Sequence, residues 1–290
     1  MTATLDGKVV AAKIRGGVTE VASLLRDRGI TPTLAVVIAT DEEASHAYAR
    51  AITRAAQACG IETRVCDLGP SATSASISAT VRDLAADDGI HGIIVQTPLP
   101  KGVVPADVTS SLPAEKDVDG AGVLSAGRLF RGLPAFAPAT AQAVMEILGH
   151  YSVPLMGANA VVIGRSQVVG RPAAELLLRA DATVTVCHSK SVDLAAIARG
   201  ADVLVVAIGK ARFVDRAFVK PGAVVIDVGT NFDAGGSMVG DVDHVAVEGI
   251  AGGLTPVPGG VGPVTTAVLL RNTVAAVAGP ETGERGREPQ

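Results

Sequence analysis

The sequence predicts an α/β protein of two units, each built around a mostly parallel sheet. Three observations carry that expectation. Short runs of Val, Ile, Ala and Leu alternate with stretches of helical period. Of 290 residues 48% are hydrophobic but only 2% aromatic, with 33 glycines, which suits buried parallel strands and close helix contacts. The alternation also breaks at a Pro-containing connector, residues 133–138, and then restarts.

Taken in order, Ile14, Val18, Val21 and Leu25 fall at steps of 4, 3 and 4, which places one stripe on a helix ending near Arg28-Gly29. The apolar run 33–39 reads as a buried strand. A helix follows from about Glu43, with Asp41 as its expected N-cap and acids in the first turn. Strands are expected at 63–68 and 92–96, with a helix at 80–86 between them. After the connector come a helix at 141–151, a strand at 158–164, a helix at 172–179, and strands at 182–187, 201–208 and 223–229. A last helix is expected from 264 to about 277. The polar final residues, 280–290, are expected to form a flexible tail.

Several function classes are excluded at this level. With 25 basic and 29 acidic side chains the net charge is −4, so there is no electrostatic footprint for nucleic acid or an anionic membrane. Mean hydropathy is positive, +0.39, yet no apolar run approaches the roughly 18 to 20 residues of a spanning helix. Cys59, Cys66 and Cys187 lack CxxC or metal-ligand spacing, so neither a disulfide framework nor a metal is expected. The N-terminal segment has neither a basic nor an apolar signal region, and a reducing, cytoplasmic location is expected.

The strongest local motif is Gly164-Arg165-Ser166-Gln167-Val168-Val169-Gly170-Arg171-Pro172. A buried strand ends at Gly164, a loop of small and polar residues turns sharply, and Pro172 stands where the first residue of a helix would be. That geometry aims backbone N–H groups and a helix N-terminus at an anion such as a pyrophosphate. An ordinary strand-to-helix turn is the alternative, since the motif is not GxGxxG. The next strand ends Cys187-His188-Ser189-Lys190, without the acid that an NAD-selective site places there. Arg165 beside Ser189 and Lys190 suits a 2′-phosphate instead, so the expected cofactor is NADP.

Three further clusters stand out. Ser45, Tyr48 and Ile52 lie along one helical face just after a strand's carboxyl end. Val95-Gln96-Thr97-Pro98-Leu99-Pro100 places an amide at the end of a buried strand, where ligand sites of α/β proteins lie. Lys116-Asp117-Val118-Asp119-Gly120 is the third, for which a charged turn is the plain alternative.

The segments 95–100, 116–120 and 164–172, with Pro256-Val257-Pro258-Gly259-Gly260-Val261-Gly262-Pro263, occur in an order that resembles the bifunctional methylenetetrahydrofolate dehydrogenase/methenyltetrahydrofolate cyclohydrolase family, over about residues 5–277. The resemblance implies two domains around a cleft. One is an α/β folate-binding domain, residues 1–139, completed by the C-terminal helix 264–279. The other is a Rossmann-like NADP-binding domain, residues 140–263. It implies that Tyr48 lies against the folate rings, Gln96 polarises the one-carbon centre and Asp119 hydrogen-bonds the pterin, with Ser45, Pro258, Gly259 and Gly260 also at the substrate. Gly164, Arg165, Ser166, Gly170, Ser189 and Thr230 would hold NADP, and a homodimer is expected through the nucleotide domain.

The sequence departs from the family at several places. A Tyr-x-x-x-Lys motif would put a lysine where Ile52 stands, and the family assigns that lysine to the cyclohydrolase step. Arg50 and Arg54 are displaced by two residues, about 200° around the helix, and arginine does not exchange protons as a lysine of lowered pKa does. Ala39-Thr40, Ala139-Thr140-Ala141 and Thr230 replace the family's Gly-Asp, Cys-Thr-Pro and Ile. Oxidation of 5,10-methylenetetrahydrofolate is therefore expected to persist, and hydrolysis of the methenyl product to 10-formyltetrahydrofolate to be weak or lost. The competing readings are an inactive paralogue that binds NADP or folate, and a dehydrogenase of a different small substrate.

Overall fold

The computed structural model describes residues 1–277; the expected tail and the last two residues of the expected terminal helix lie outside them. In chain order the elements are β1 (Ala3–Thr4), α1 (Gly7–Asp27), β2 (Thr33–Ile38), α2 (Glu43–Ala58), β3 (Glu62–Asp67), α3 (Ser74–Ala86), β4 (Gly92–Val95), α4 (Pro105–Thr109) and α5 (Val123–Phe130). Then follow α6 (Ala139–His150), β5 (Asn159–Ile163), α7 (Gly170–Arg179), β6 (Thr183–Cys187), α8 (Leu194–Ala198), β7 (Val203–Val206), β8 (Val224–Asp227), β9 (Asn231–Phe232), β10 (Met238–Val239), α9 (His244–Val247), β11 (Gly253–Leu254) and α10 (Val261–Val277). The described residues divide into two compact units, residues 13–139 with 266–277, and residues 1–12 with 140–265.

In the first unit β3-β2-β4 form a parallel sheet. The alternation of β2 sends its residues to two cores. Leu34, Val36 and Ile38 pack with Val18 and Ala22 of α1, Ala49, Ile52 and Ala56 of α2, and Leu269, Leu270 and Val274 of α10. Ala35 and Val37 pack with Ile77, Val81 and Leu84 of α3 and Val108 of α4. The stripe of α1 is rotated from the one expected, because Ala22 is buried while Val21 is exposed.

Helix starts also differ from the sequence expectation. Glu42, not Asp41, is the N-cap residue of α2, and no side chain caps it. Helix α3 begins at Ser74, six residues before the expected start, because Thr73 and Ser76 form a reciprocal capping box. Helix α7 begins at Gly170, so Pro172 stands inside the first turn, where its missing N–H has no intrahelical partner to lose.

The second unit holds a six-stranded sheet in the order β1-β11-β8-β7-β5-β6, with every pairing parallel. The first twelve residues group here and not with residues 13–139, because β1 pairs with β11 and Leu5 is packed against Gly253. All six strands therefore run the same way, and the loops after β5, β6, β7 and β8 share one edge, where α/β folds bind ligands. Among the described residues no helix is long and apolar enough to cross a membrane. No group of His, Cys, Asp and Glu among them could hold a metal ion.

Candidate active site

In the first unit the expected residues gather at the carboxyl edge of the three-stranded sheet. The Gln96 N–H donates to the Val37 carbonyl at 2.9 Å, which fixes the residue where β4 ends, and Gln96 is buried. The next peptide bond, Thr97-Pro98, is cis. Segment 116–118 runs beside β4 through a parallel bridge between Ile93 and Asp117, so Asp119 is delivered to the same edge. Asn272 of α10 donates to the Val118 carbonyl at 2.8 Å and ties this segment to the terminal helix.

Lys116 takes no part in the cluster. Its ammonium donates to the carbonyls of Ala85 and Asp87 at 2.9 and 2.8 Å, closing the end of α3. Asp117 is buried and accepts from the N–H groups of Ala121 and Gly122 at 3.2 and 2.9 Å. Burial pushes its carboxyl above the usual range. Asp119 is affected more. Burial first, and the neighbouring Asp117 second, raise it to about 7, against a hydrogen bond from the Ala139 backbone.

Helix α2 places Ser45 and Tyr48 one turn from its start. Ser45 is buried, while Tyr48 keeps 38% of its surface exposed. Burial is the largest cause that pushes its phenol up to about 12, with the Asp119 charge next and a Thr266 hydrogen bond opposing. Thr266 was not foreseen from sequence. The one available signal was its position, six residues past Gly260 on the helix that returns to this unit.

Ile52 is fully buried, in the core with Leu34, Val36 and Ile38. The flanking arginines lie elsewhere. Arg50 pairs with Glu43, and Arg50 and Arg54 line a groove of about 350 Å³ with His46, Thr53 and Val65. Neither guanidinium is on the Tyr48 face of α2.

In the second unit the register pairs Ile163 with Cys187, and the Gly164 N–H donates to the Cys187 carbonyl at 2.9 Å. Arg165 and Ser189-Lys190 thus emerge from adjacent strand ends, all exposed. Gly164 has φ +130°, and a Cβ there would overlap the Ala207 carbonyl. A Cβ at Gly170 would overlap the Gly164 carbonyl, so α7 starts in direct contact with the strand end. The Ser166 hydroxyl accepts from the N–H groups of Val169 and Gly170 at 3.2 and 3.3 Å, and caps α7 from outside it. The N–H groups of residues 165–168 donate to no partner among the described residues. Free amides, a helix N-terminus and two cations without a carboxylate fit a phosphorylated dinucleotide.

Thr230 is exposed in the loop after β8. Pro258 follows a cis peptide bond, and Gly259 has φ +107°. A Cβ at Gly260 would stand 2.5 Å from the Pro256 carbonyl oxygen, so the backbone turns tightly against itself here. Pro258, Gly259 and Gly260 belong to the second unit, whereas Ser45, Tyr48, Gln96 and Asp119 belong to the first.

Comparison with known proteins agrees with this picture of two units. The family model "Tetrahydrofolate dehydrogenase/cyclohydrolase, catalytic domain" matches residues 5–119, and "Tetrahydrofolate dehydrogenase/cyclohydrolase, NAD(P)-binding domain" matches residues 138–280. The bifunctional protein FolD of Parafrankia sp. (strain EAN1pec) is 57% identical over 95% of this chain and 99% of its own. Among solved structures, the bifunctional FolD methylenetetrahydrofolate dehydrogenase/cyclohydrolase of Campylobacter jejuni has a TM-score of 0.93 at 41% identity, covering 96% of this chain and 99% of that one. The N5,N10-methylenetetrahydrofolate dehydrogenase-cyclohydrolase of Trypanosoma brucei, complexed with NADP cofactor and inhibitor, has a TM-score of 0.91 at 37% identity, covering 96% and 97%.

Proposed function

Because the chain belongs to the tetrahydrofolate dehydrogenase/cyclohydrolase family, we propose that it oxidises 5,10-methylenetetrahydrofolate to 5,10-methenyltetrahydrofolate with NADP⁺, and that its cyclohydrolase step is weak or lost. The observation that carries the division is the burial of Ile52 in an apolar core, with both flanking arginines turned from Tyr48.

When bound, the cofactor supplies the hydride acceptor. Arg165, Ser189 and Lys190 select its 2′-phosphate, and the amides of residues 165–168 with Gly170 receive its pyrophosphate. On the substrate side Tyr48 offers its ring face and a neutral phenol, Gln96 hydrogen-bonds near the one-carbon centre, and Asp119 accepts from the pterin N–H groups. Oxidation leaves a cation stabilised by its own nitrogens, so these groups mainly hold and orient. Hydrolysis needs water activated and protons moved, typically worth about 10²- to 10⁴-fold. Without a lysine amine beside Tyr48 that step lacks its proton-exchanging group.

A homodimer through the second unit belongs to the same reading. In its support, β6 is one of the two outer strands of the sheet and Val186 on it is 40% exposed; sedimentation velocity measures the assembly state.

The deciding experiment supplies 5,10-methylenetetrahydrofolate with NADP⁺ and NAD⁺ in parallel. The expected result is turnover with strong preference for NADP⁺, and little conversion of methenyl- to 10-formyltetrahydrofolate. Binding of both ligands without reduced cofactor would replace the enzyme reading with a binding protein. Hydrolysis as fast as oxidation would overturn the proposed loss.

A further inference from the structure

We propose that Asp241 is a positioning residue for the cofactor, an internal anion that shapes two of the loops at the cofactor edge of the second unit. The inference rests on the reading that NADP binds there.

The Asp241 carboxylate is fully buried. One oxygen accepts from the N–H groups of Ile208 and Gly209 at 2.7 and 3.0 Å. The other accepts from the Lys210 N–H at 2.7 Å and the Asn231 side-chain amide at 2.9 Å. Three successive amides converging on one point form the kind of concavity that binds anions in phosphate loops. Here the chain fills it with its own carboxylate, and the loop after β7 is held in that curve.

Asp241 is itself held by a second buried carboxylate, Asp227, at the end of β8. Asp227 accepts from the N–H groups of Asp241, Val242 and Gly229 at 2.9, 3.0 and 3.0 Å, and His244 Nε2 lies 3.3 Å away. Both flanking glycines are sterically required. A Cβ at Gly229 would overlap Asp241, and one at Gly240 would overlap Asp227.

The consequence reaches the cofactor loop by contact. Strands β8, β7 and β5 are neighbours, and the Ala207 carbonyl, one residue before the clamped amides, packs on Gly164. On the other side, Thr230 is bracketed by Gly229, bonded to Asp227, and Asn231, bonded to Asp241. Asp241 has no surface from which to touch a ligand, so its effect on NADP passes through these two loops.

The test uses Asp241→Asn, which keeps the shape but turns one acceptor into a donor facing N–H groups. Amide hydrogen exchange in the cofactor-free protein should accelerate at residues 208–210. The NADP Kd from calorimetry should rise about tenfold, the loss expected from removing charge-assisted hydrogen bonds. KM for the folate, and kcat at saturating NADP⁺, should stay within about twofold by the same affinity scale. Asn231→Ala, which deletes one donor only, should give a smaller rise in Kd and serves if Asp241→Asn does not fold. Formate added to Asp241→Ala should restore NADP affinity. An unchanged NADP Kd in both foldable variants would overturn the proposal, as would equal weakening of folate and NADP together with a general loss of thermal stability. Absence of NADP binding in the wild-type protein would instead remove the reading of the edge on which the proposal stands.

Discussion

The Asp119 carboxyl lies close enough to the Tyr48 phenol for its charge to oppose phenol ionisation, and burial raises both groups. The pair offers a proton-bearing surface whose charge is set by Asp119, because the phenol, pushed up to about 12, stays neutral throughout the working range.

The pH dependence of substrate capture should therefore follow Asp119. Its carboxyl, raised to about 7, is mostly protonated at pH 6 and mostly ionised at pH 8. In the proposed role of Asp119 as acceptor for the pterin N–H groups, the ionised form is the competent one. The ratio kcat/KM for the folate should rise with pH and level off above about 7, and Asp119→Asn should flatten that step in a steady-state pH profile.

Stability should run the opposite way. A carboxyl whose folded pKa exceeds its unfolded value contributes most below the unfolded pKa, near 4, and loses that contribution as pH rises through about 7. Asp119→Asn should consequently raise Tm relative to wild type at pH 8 and leave it nearly unchanged at pH 4. Calorimetric scans at the two pH values check the sign.

Tyr48→Phe removes the hydroxyl that meets Thr266 and keeps the ring. Loss of one hydrogen bond at the site corresponds to about 1 kcal/mol, or roughly fivefold in kcat/KM for the folate. The NADP⁺ KM should not move, and the step near pH 7 should persist, since it belongs to Asp119.

The regular parts of this fold were legible because their periods are long enough to count. Leu34, Val36 and Ile38 alternate with Ala35 and Val37, and the two sets enter different cores. Strands β1, β10 and β11 have two residues each and carry no period, so the placement of the first twelve residues with the second unit could not be read. The start of α3 was hidden by a Ser/Thr run whose helical meaning lies in one pair of side-chain bonds, Thr73 with Ser76. Of the proposed site residues, Tyr48 and Asp119 stood out in sequence clusters, and their roles rest on the family resemblance. Thr266 and Asp241 were not, because each acts through a partner distant in sequence. The carbonyl contacts of Lys116 to Ala85 and Asp87 emerge only from folding.

Gly164→Ala should disable cofactor binding without touching the folate side. Its Cβ would overlap the Ala207 carbonyl at a φ of +130°, a region that L side chains rarely adopt. Strand β5 and the loop after β7 must then separate, which displaces the amides of residues 165–168. The NADP Kd should weaken by at least about tenfold, some 1.4 kcal/mol, while a folate analogue should bind as in wild type by equilibrium titration.

Ile52→Lys tests the proposed division of activities most directly. The native side chain is fully buried among Leu34, Val36 and Ile38, and its burial is worth about 2 kcal/mol or more. A lysine must leave that core or shed its charge, so Tm should fall. Four residues after Tyr48, its flexible stem can carry the amine out along the Tyr48 face. There the amine, partly shielded from water beside the Tyr48 ring, has a lowered pKa and can exchange protons, which arginine at 50 or 54 does not. Hydrolysis of methenyltetrahydrofolate should rise at least about tenfold, within the usual range for general acid/base catalysis, with oxidation by NADP⁺ preserved. Ile52→Ala, which opens a cavity at a cost of about 2 to 4 kcal/mol but adds no base, should lose stability with no gain in hydrolysis. If the alanine variant gained as much as the lysine variant, the gain would come from a loosened helix and not from a proton-transfer group, and the assignment of the missing step to Ile52 would fail.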